Sequence, residues 1–141
     1  MKLVDANVLL YAVNRDAPHH KVSRSWLDQA LAGATSVGLA WVPLLAFVRL
    51  ATKVGLFPRP LSVDGAMNQV DQWLAQPAAH LVQPGDRHAS ILAALLRDVG
   101  TGGNLVNDAH VAALAIEHRA AVVSFDNDFD RFGGVTWERP V

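Results

Sequence analysis

The stretch "KLVDANVLLYAVN" (residues 2–14) decides the fold, because a short buried strand is followed in it at once by a helix. "KLVDA" is a brief apolar run with one carboxylate near its end, and "NVLLYAVN" is a helical stretch. Further short apolar strands alternate with helices along the rest of the chain. This alternation predicts a parallel sheet with helices on both of its faces.

The remaining elements follow from apolar periodicity and from Gly, Pro and capping signals. Strands are predicted within residues 33–41, 79–84 and 120–126, with a possible fifth within 135–140. Helices are predicted over residues 19–32, 42–55, 65–76, 86–100 and 105–119, and a short helical turn over 128–132. Asp64 is expected to cap the third of these helices. The whole chain, residues 1–141, is therefore expected to form a single α/β domain.

Composition narrows the function. The formal net charge of −1 disfavours a high-affinity, sequence-specific DNA binder, which usually has a basic face, but it leaves open an enzyme that meets RNA through a metal. There are no cysteines, which excludes a disulfide framework and a thiolate zinc site. No segment resembles a secretory signal or approaches the roughly 20 apolar residues of a membrane span. We expect a soluble, cytoplasmic protein with no membrane contact.

Aspartates follow two of the predicted strands. Asp5 ends the first strand, and "SFDNDFDRF" (residues 124–132) places Asp126 at the end of the fourth. Asp108 lies in the first turn of the helix that leads into that fourth strand. Ligands of parallel α/β sheets bind just beyond the carboxyl ends of the strands. If strands one and four are neighbours, the three carboxylates converge on one rim.

Converging carboxylates cannot all stay ionised without a counter-charge, which a divalent cation supplies. Mg²⁺ and Mn²⁺ prefer oxygen ligands and typically take only a few protein carboxylates. Such an ion activates a bound water and stabilises charge on a phosphoryl group. The residues alone therefore indicate metal-assisted hydrolysis of a phosphodiester.

Each candidate residue also has a purely structural explanation. Asp108 could serve only the helix dipole, and Asp128 could be a helix cap. Asn7 could be a turn former, whereas Ser124 could ligate a metal or orient a carboxylate. Asp130 is expected to be solvated surface. The scattered histidines lack the spacing of a zinc site.

Three segments together resemble a PIN-domain ribonuclease, and more narrowly the VapC-type toxin of a VapBC toxin–antitoxin pair. They are "LVDANVLLYAVN", "NLVNDAHVAALAIEH" and "VVSFDNDFDRFGGVTW", in order and at the family's spacing. The resemblance implies a three-layer α/β/α fold with a five-strand parallel sheet. It also implies an endoribonuclease that depends on Mg²⁺ or Mn²⁺, often acts on tRNA or rRNA, forms a homodimer and is blocked by a cognate VapB-type antitoxin.

Carried over by position, the resemblance implies that Asp5, Asp108 and Asp126 are catalytic acids that bind the metal. It implies that Asp128 is a further metal ligand and that two polar residues support these acids, namely Asn7 and Ser124. Arg49 is expected to face the acids, a phosphate or the antitoxin.

One position departs from the family pattern. The family usually has a glutamate in the helix after strand two, where "LLAFVRL" has Ala46. Glu117 is no substitute, because nine residues of helix place it about 13 Å beyond Asp108. Three explanations are open: a natural subfamily with fewer acids, an engineered change, or a weakened nuclease.

Two other function classes compete with the nuclease. A PIN-like domain without the glutamate could be a module that binds RNA or a partner without cutting, and "FDNDFD" superficially resembles the Asp-x-Asp of an aspartyl phosphatase.

The helix after the second strand carries several large apolar residues, too many for one buried layer: Trp41, Leu45, Phe47 and Leu50. We expect part of this stretch to be exposed for an antitoxin helix or a dimer partner.

Overall fold

A computed structural model describes residues 1–141 and contains one sheet of five parallel strands. The strands are β1 (Lys2–Val4), β2 (Val37–Leu39), β3 (Ala79–Leu81), β4 (Ala121–Val123) and β5 (Trp137–Glu138). Their order across the sheet is β3-β2-β1-β4-β5, and every pair is parallel. The predicted α/β class and strand number are confirmed.

Six α-helices connect the strands. They are α1 (Ala6–Val13), α2 (His20–Gln29), α3 (Trp41–Ala51), α4 (Val63–Leu74), α5 (His88–Val99) and α6 (Val106–Glu117). Short 3₁₀ helices cover Gly103–Leu105 and Asn127–Arg131, and a π-helical turn at Ala30–Ala34 continues α2. None of the helices combines the length and the apolar character that crossing a membrane requires.

The sheet separates two hydrophobic cores, which gives the molecule three layers. In β1, Leu3 belongs to one core and Val4 to the other, because successive strand residues point to opposite faces. Val122 and Val123 divide in the same way in β4. Residues of α1, α2, α3 and α4 contribute to the core on one side, and residues of α5 and α6 to the core on the other.

The neighbouring positions of β1 and β4 determine where polar groups meet. Val4 is in register with Val123, and the backbone N–H of Asp5 donates to the carbonyl oxygen of Val123 at 3.0 Å. The residues that follow these two strands therefore emerge side by side at the carboxyl edge of the sheet. The condition for convergence of the aspartates is met.

The main correction concerns the start of α4. Asp64 is not the cap: the backbone of Ser62 is extended, and its hydroxyl oxygen accepts the N–H of Gly65 at 2.9 Å, which places Asp64 in the first helical turn. Helix α3 also ends at Ala51, ahead of the predicted stop at Gly55. Gly100 does end α5, with a left-handed φ of 80°.

We expect Ser62→Ala to lower the free energy of unfolding by about 1 kcal/mol, because it removes the acceptor for an otherwise unpaired helix N–H. Asp64→Ala should cost only a few tenths of a kcal/mol through the helix dipole. Urea denaturation of the two variants beside the parent measures both. Equal losses, or a larger loss for Asp64→Ala, would contradict the cap assignment.

Candidate active site

Asp5 is the most buried acid of the chain, with 8% of its surface exposed. It caps α1, since its Oδ1 accepts the N–H of Ala6 at 2.8 Å. Its Oδ2 accepts the hydroxyl of Ser124 at 2.7 Å and, more weakly, the side-chain amide of Asn7 at 3.4 Å. Burial raises the pKa of Asp5 above its usual range, and the hydrogen bonds from Ser124 and Ala6 oppose that rise.

Ser124 and Asn7 tie the end of β4 to the start of α1. The fully buried Ser124 hydroxyl oxygen accepts the Asn7 amide at 3.0 Å and the backbone N–H of Asp126 at 2.9 Å. The Asn7 Oδ1 in turn accepts the N–H of Phe125 at 3.1 Å. Both residues therefore position the acids, and Ser124 occupies the centre of the network.

Three carboxylates form a tight group beside this network. Asp108, Asp126 and Asp128 each offer an oxygen, and these oxygens all lie within 4.8 Å of one another. Asp126 caps the 3₁₀ helix by accepting the N–H of Asp128 at 2.8 Å, so the cap is Asp126 and not Asp128. Asp5 is not a member of this group, but its charge helps raise the pKa of Asp108.

The surroundings of Asp108 disfavour its ionised form. The pKa of Asp108 is raised to about 7, first by burial and then by the charges of Asp5, Asp126 and Asp128. The only ion pair that any of these acids makes joins Asp128 to Arg131 at 3.3 Å, and the arginine side chain is largely exposed. One screened arginine cannot balance four acids.

A groove of about 590 Å³ opens in front of these acids. Its lining includes Asp5 and Asp108 on one side and, from α3, Ala46 and Arg49. Ala46 therefore faces the acids as expected, with open space before it. Arg49 is exposed and makes no ion pair, which leaves its guanidinium available to the groove.

Other candidate acids have separate structural roles. Glu117 accepts the backbone N–H groups of Gly85 at 2.7 Å and Arg87 at 3.0 Å, which confirms that it does not share the site. Asp130 is exposed, as expected, but also accepts the indole N–H of Trp137 at 2.7 Å. It therefore fastens the aspartate-rich turn to β5.

The apolar stretch on α3 is only partly exposed. Trp41 and Leu45 are 38% and 59% exposed, whereas Phe47 is fully buried in the core. The prediction that part of this stretch is exposed is therefore confirmed, and Phe47 belongs to the buried part, where its ring packs edge-on against Trp73 at 4.8 Å. Leu45 lines the groove beside the acids.

The donor set fits a hard divalent cation. All close donors are carboxylate oxygens, which Mg²⁺ and Mn²⁺ prefer, and no histidine belongs to the group. His88 and His110 instead contact each other at 2.9 Å. The aspartate group carries surplus negative charge that a cation would neutralise.

Sequence reasoning missed the local role of Asp5, although an aspartate directly before a helical run is also an N-cap signal. It left two roles open for Ser124, metal ligand or carboxylate orienter, and the hydroxyl of Ser124 donates to the carboxylate of Asp5, 119 positions away.

We expect the melting temperature of Asp108→Asn in metal-free buffer to match the parent near pH 4 and to exceed it at pH 8. Because the pKa of Asp108 is raised in the folded protein, the protonated carboxyl group stabilises the fold. This stabilisation is fully present below pH 3.8 and is lost as the pH rises towards about 7. That shift corresponds to roughly 4 kcal/mol, which solvent screening at a half-exposed group reduces to about 1–2 kcal/mol.

The matched control is Asp71→Asn, which changes an exposed acid on α4. It should show no pH-dependent difference from the parent. A parent-like Asp108→Asn at every pH would contradict the crowding of the three carboxylates.

Comparisons with known proteins identify the family of this chain. A family model described as "PIN domain" matches residues 2–135. The chain is 69% identical to ribonuclease VapC37 of Mycobacterium tuberculosis over 140 residues, which cover 99% of this chain and 97% of the relative. It is 37% identical to ribonuclease VapC33 of the same organism, over 100% of this chain and 99% of the relative.

Solved structures share the fold at low identity. VapBC2 from Rickettsia felis, bound to a promoter DNA fragment, superposes with a TM-score of 0.71 at 18% identity and covers 98% of this chain and 97% of that one. VapBC-1 from nontypeable Haemophilus influenzae gives 0.69 at 15% identity, over 98% and 96%. With the family model and the curated relatives, these findings establish that the chain belongs to the VapC branch of the PIN domain family.

Proposed function

We propose that this protein is the toxin of a type II toxin–antitoxin pair, a metal-dependent endoribonuclease that cleaves RNA, with tRNA or rRNA as the expected substrate. The observation that carries the proposal is the group of Asp108, Asp126 and Asp128, whose oxygens lie within 4.8 Å of one another with one exposed arginine as counter-charge. The relatives named as VapC ribonucleases support the choice of RNA.

The four acids are the proposed metal ligands. Asp108, Asp126 and Asp128 would hold Mg²⁺ or Mn²⁺, and Asp5 would complete the ligand set through the lone pairs that Ser124 and Ala6 leave free. The bound ion would supply an acidified water and neutralise charge on the phosphoryl group. Ser124 and Asn7 hold the Asp5 carboxylate in place.

Arg49 is the proposed phosphate contact. It lines the groove with Asp5 and Asp108 and has no acidic partner, so its guanidinium is free to pair with a phosphate in two parallel hydrogen bonds. A phosphate held there would lie beside the acids, where hydrolysis is proposed to occur.

The same groove is the proposed antitoxin site. The structures of VapBC complexes support a VapB-type partner, and exposed Leu45 offers an apolar contact within the groove. A partner helix on this surface would cover Leu45 and deny RNA access to the acids. A homodimer and a cytoplasmic location complete the proposal.

A binding module without catalysis is the second candidate, and Ala46 is the observation that favours it. The groove has one carboxylate fewer than the family pattern, which lowers the charge available to hold a cation. Incubation with structured RNA separates the two functions: a nuclease cuts only when Mn²⁺ is added, whereas a module binds and leaves the RNA intact.

We expect Asp5→Asn, Asp108→Asn and Asp126→Asn each to reduce Mn²⁺-dependent RNA cleavage by at least about 100-fold, since each removes a negative charge at constant shape. Gel analysis of a structured RNA at fixed Mn²⁺ measures the rates. Asp130→Asn is the control within the same turn and should cleave at the parental rate. Normal cleavage by Asp108→Asn would reduce its role to support of the helix dipole.

We expect Ala46→Glu to raise Mn²⁺ affinity by about tenfold or more, because the groove has room for a carboxylate that faces Asp5 and Asp108. Calorimetric titration of Mn²⁺ into the parent and the variant gives the two dissociation constants. Ala46→Gln adds the same bulk without charge and should bind Mn²⁺ as the parent does. If Ala46→Glu and Ala46→Gln titrate alike, position 46 does not face the metal site.

A further inference from the structure

An exposed aromatic stack includes Phe125, the residue between Ser124 and Asp126. The rings of His19 and Phe125 are parallel to within 12°, with centroids 4.3 Å apart. Tyr11 closes the cluster with tilted contacts, at 5.5 Å to Phe125 and 5.8 Å to His19. Phe125 is half-buried and His19 is exposed, so Phe125 covers one face of the imidazole while the side chain remains open to solvent.

The stack is held rigidly by three separate elements. Tyr11 is on α1, His19 is the residue before α2, and Phe125 follows β4. The neighbouring His20 fixes the start of α2 through a 2.7 Å hydrogen bond between its Nδ1 and the Tyr11 carbonyl oxygen. The N–H of Phe125 is bound by Asn7. These hydrogen bonds position the backbone on both sides of the stack, and the ring of Phe125 supports one face of the His19 ring.

The position of the stack relates it to the reaction. Phe125 lies between Ser124, which binds Asp5, and Asp126, which belongs to the carboxylate group. Adjacent Cα atoms are about 3.8 Å apart, so the backbone of Phe125 is next to that of Asp126. A base adjacent to a phosphate at the acids is therefore the one that the stack would meet.

We propose that His19, backed by Phe125, is a stacking platform for an unpaired nucleobase next to the phosphate that is cleaved. The proposal rests on the nuclease function proposed above and assigns a substrate contact to residues outside the carboxylate group. Single-stranded RNA is commonly recognised by stacking of splayed bases on aromatic rings, including histidine. Every base has a π-face, so such a contact tolerates many sequences and requires only that the base be unpaired.

The test measures binding without cleavage. A short single-stranded uridine oligoribonucleotide with one central 2-aminopurine is titrated with the protein in EDTA, and stacking is followed as quenching of the 2-aminopurine fluorescence. His19→Leu keeps Phe125 covered but removes the aromatic face. We expect it to weaken binding by about 5- to 150-fold and to abolish the quenching. His19→Phe keeps an aromatic face without ring nitrogens and should retain both.

The control variant is His80→Leu, which replaces an exposed histidine on β3, at the sheet edge opposite β5. It should bind and quench as the parent does. Parental quenching by His19→Leu overturns the platform. Equal loss in His19→Leu and His19→Phe also overturns it, because the imidazole nitrogens and not the ring face would then make the contact.

Cleavage assays with Mn²⁺ separate this proposal from the nuclease proposal. If the protein cuts no RNA but quenching still depends on His19, His19 stacks on a base as an RNA-binding contact and the nuclease proposal fails. If it cuts RNA and His19→Leu leaves KM unchanged, the nuclease stands and the platform fails. Support for both requires that His19→Leu raise KM for single-stranded RNA more than it lowers kcat.

Discussion

The hydrogen bond from the Ser124 hydroxyl to the Asp5 carboxylate is the interaction on which the site depends. It joins the ends of β1 and β4 at 2.7 Å, inside the protein, where an unpaired carboxylate would be costly. The same oxygen of Ser124 accepts the N–H of Asp126, so one side chain sets the positions of two acids. Loss of this hydroxyl would leave a buried charge without its strongest donor and would release the aspartate-rich turn.

The fold holds mutually repelling acids close together. The two hydrophobic cores fix the strands, and the strands hold the acids together although burial, and after it the charges of the other acids, raises the pKa of Asp108 to about 7. Perturbed pKa values of this kind concentrate at functional sites, because a structural role would be served as well by groups that do not repel one another. The two hydrophobic cores therefore offset the folding stability that is lost where the acids repel one another.

Much of this could be read from the sequence, and the reasons are local. Short apolar runs bounded by Gly and Pro marked the strands and helices, and the rule on strand ends placed Asp5 and Asp126 together once β1 and β4 were neighbours. The Ser62 cap was mistaken for Asp64 because both residues are good caps two positions apart. The pairing of His19 with Phe125 could not be read, since it depends on how α2 packs across residues more than 100 positions away.

Ala46 has a physical meaning beyond the absence of a ligand. Four acids already crowd this rim, and the charges of three of them help raise the pKa of the fourth. A fifth carboxylate in the groove would increase that repulsion in the metal-free protein, where Arg131 is the only cation paired with these acids. The alanine therefore avoids further repulsion among the acids, and it leaves open space in the groove that Asp5 also lines. Metal binding would then depend more on the orientation that Ser124 and Asn7 impose than on the number of charges.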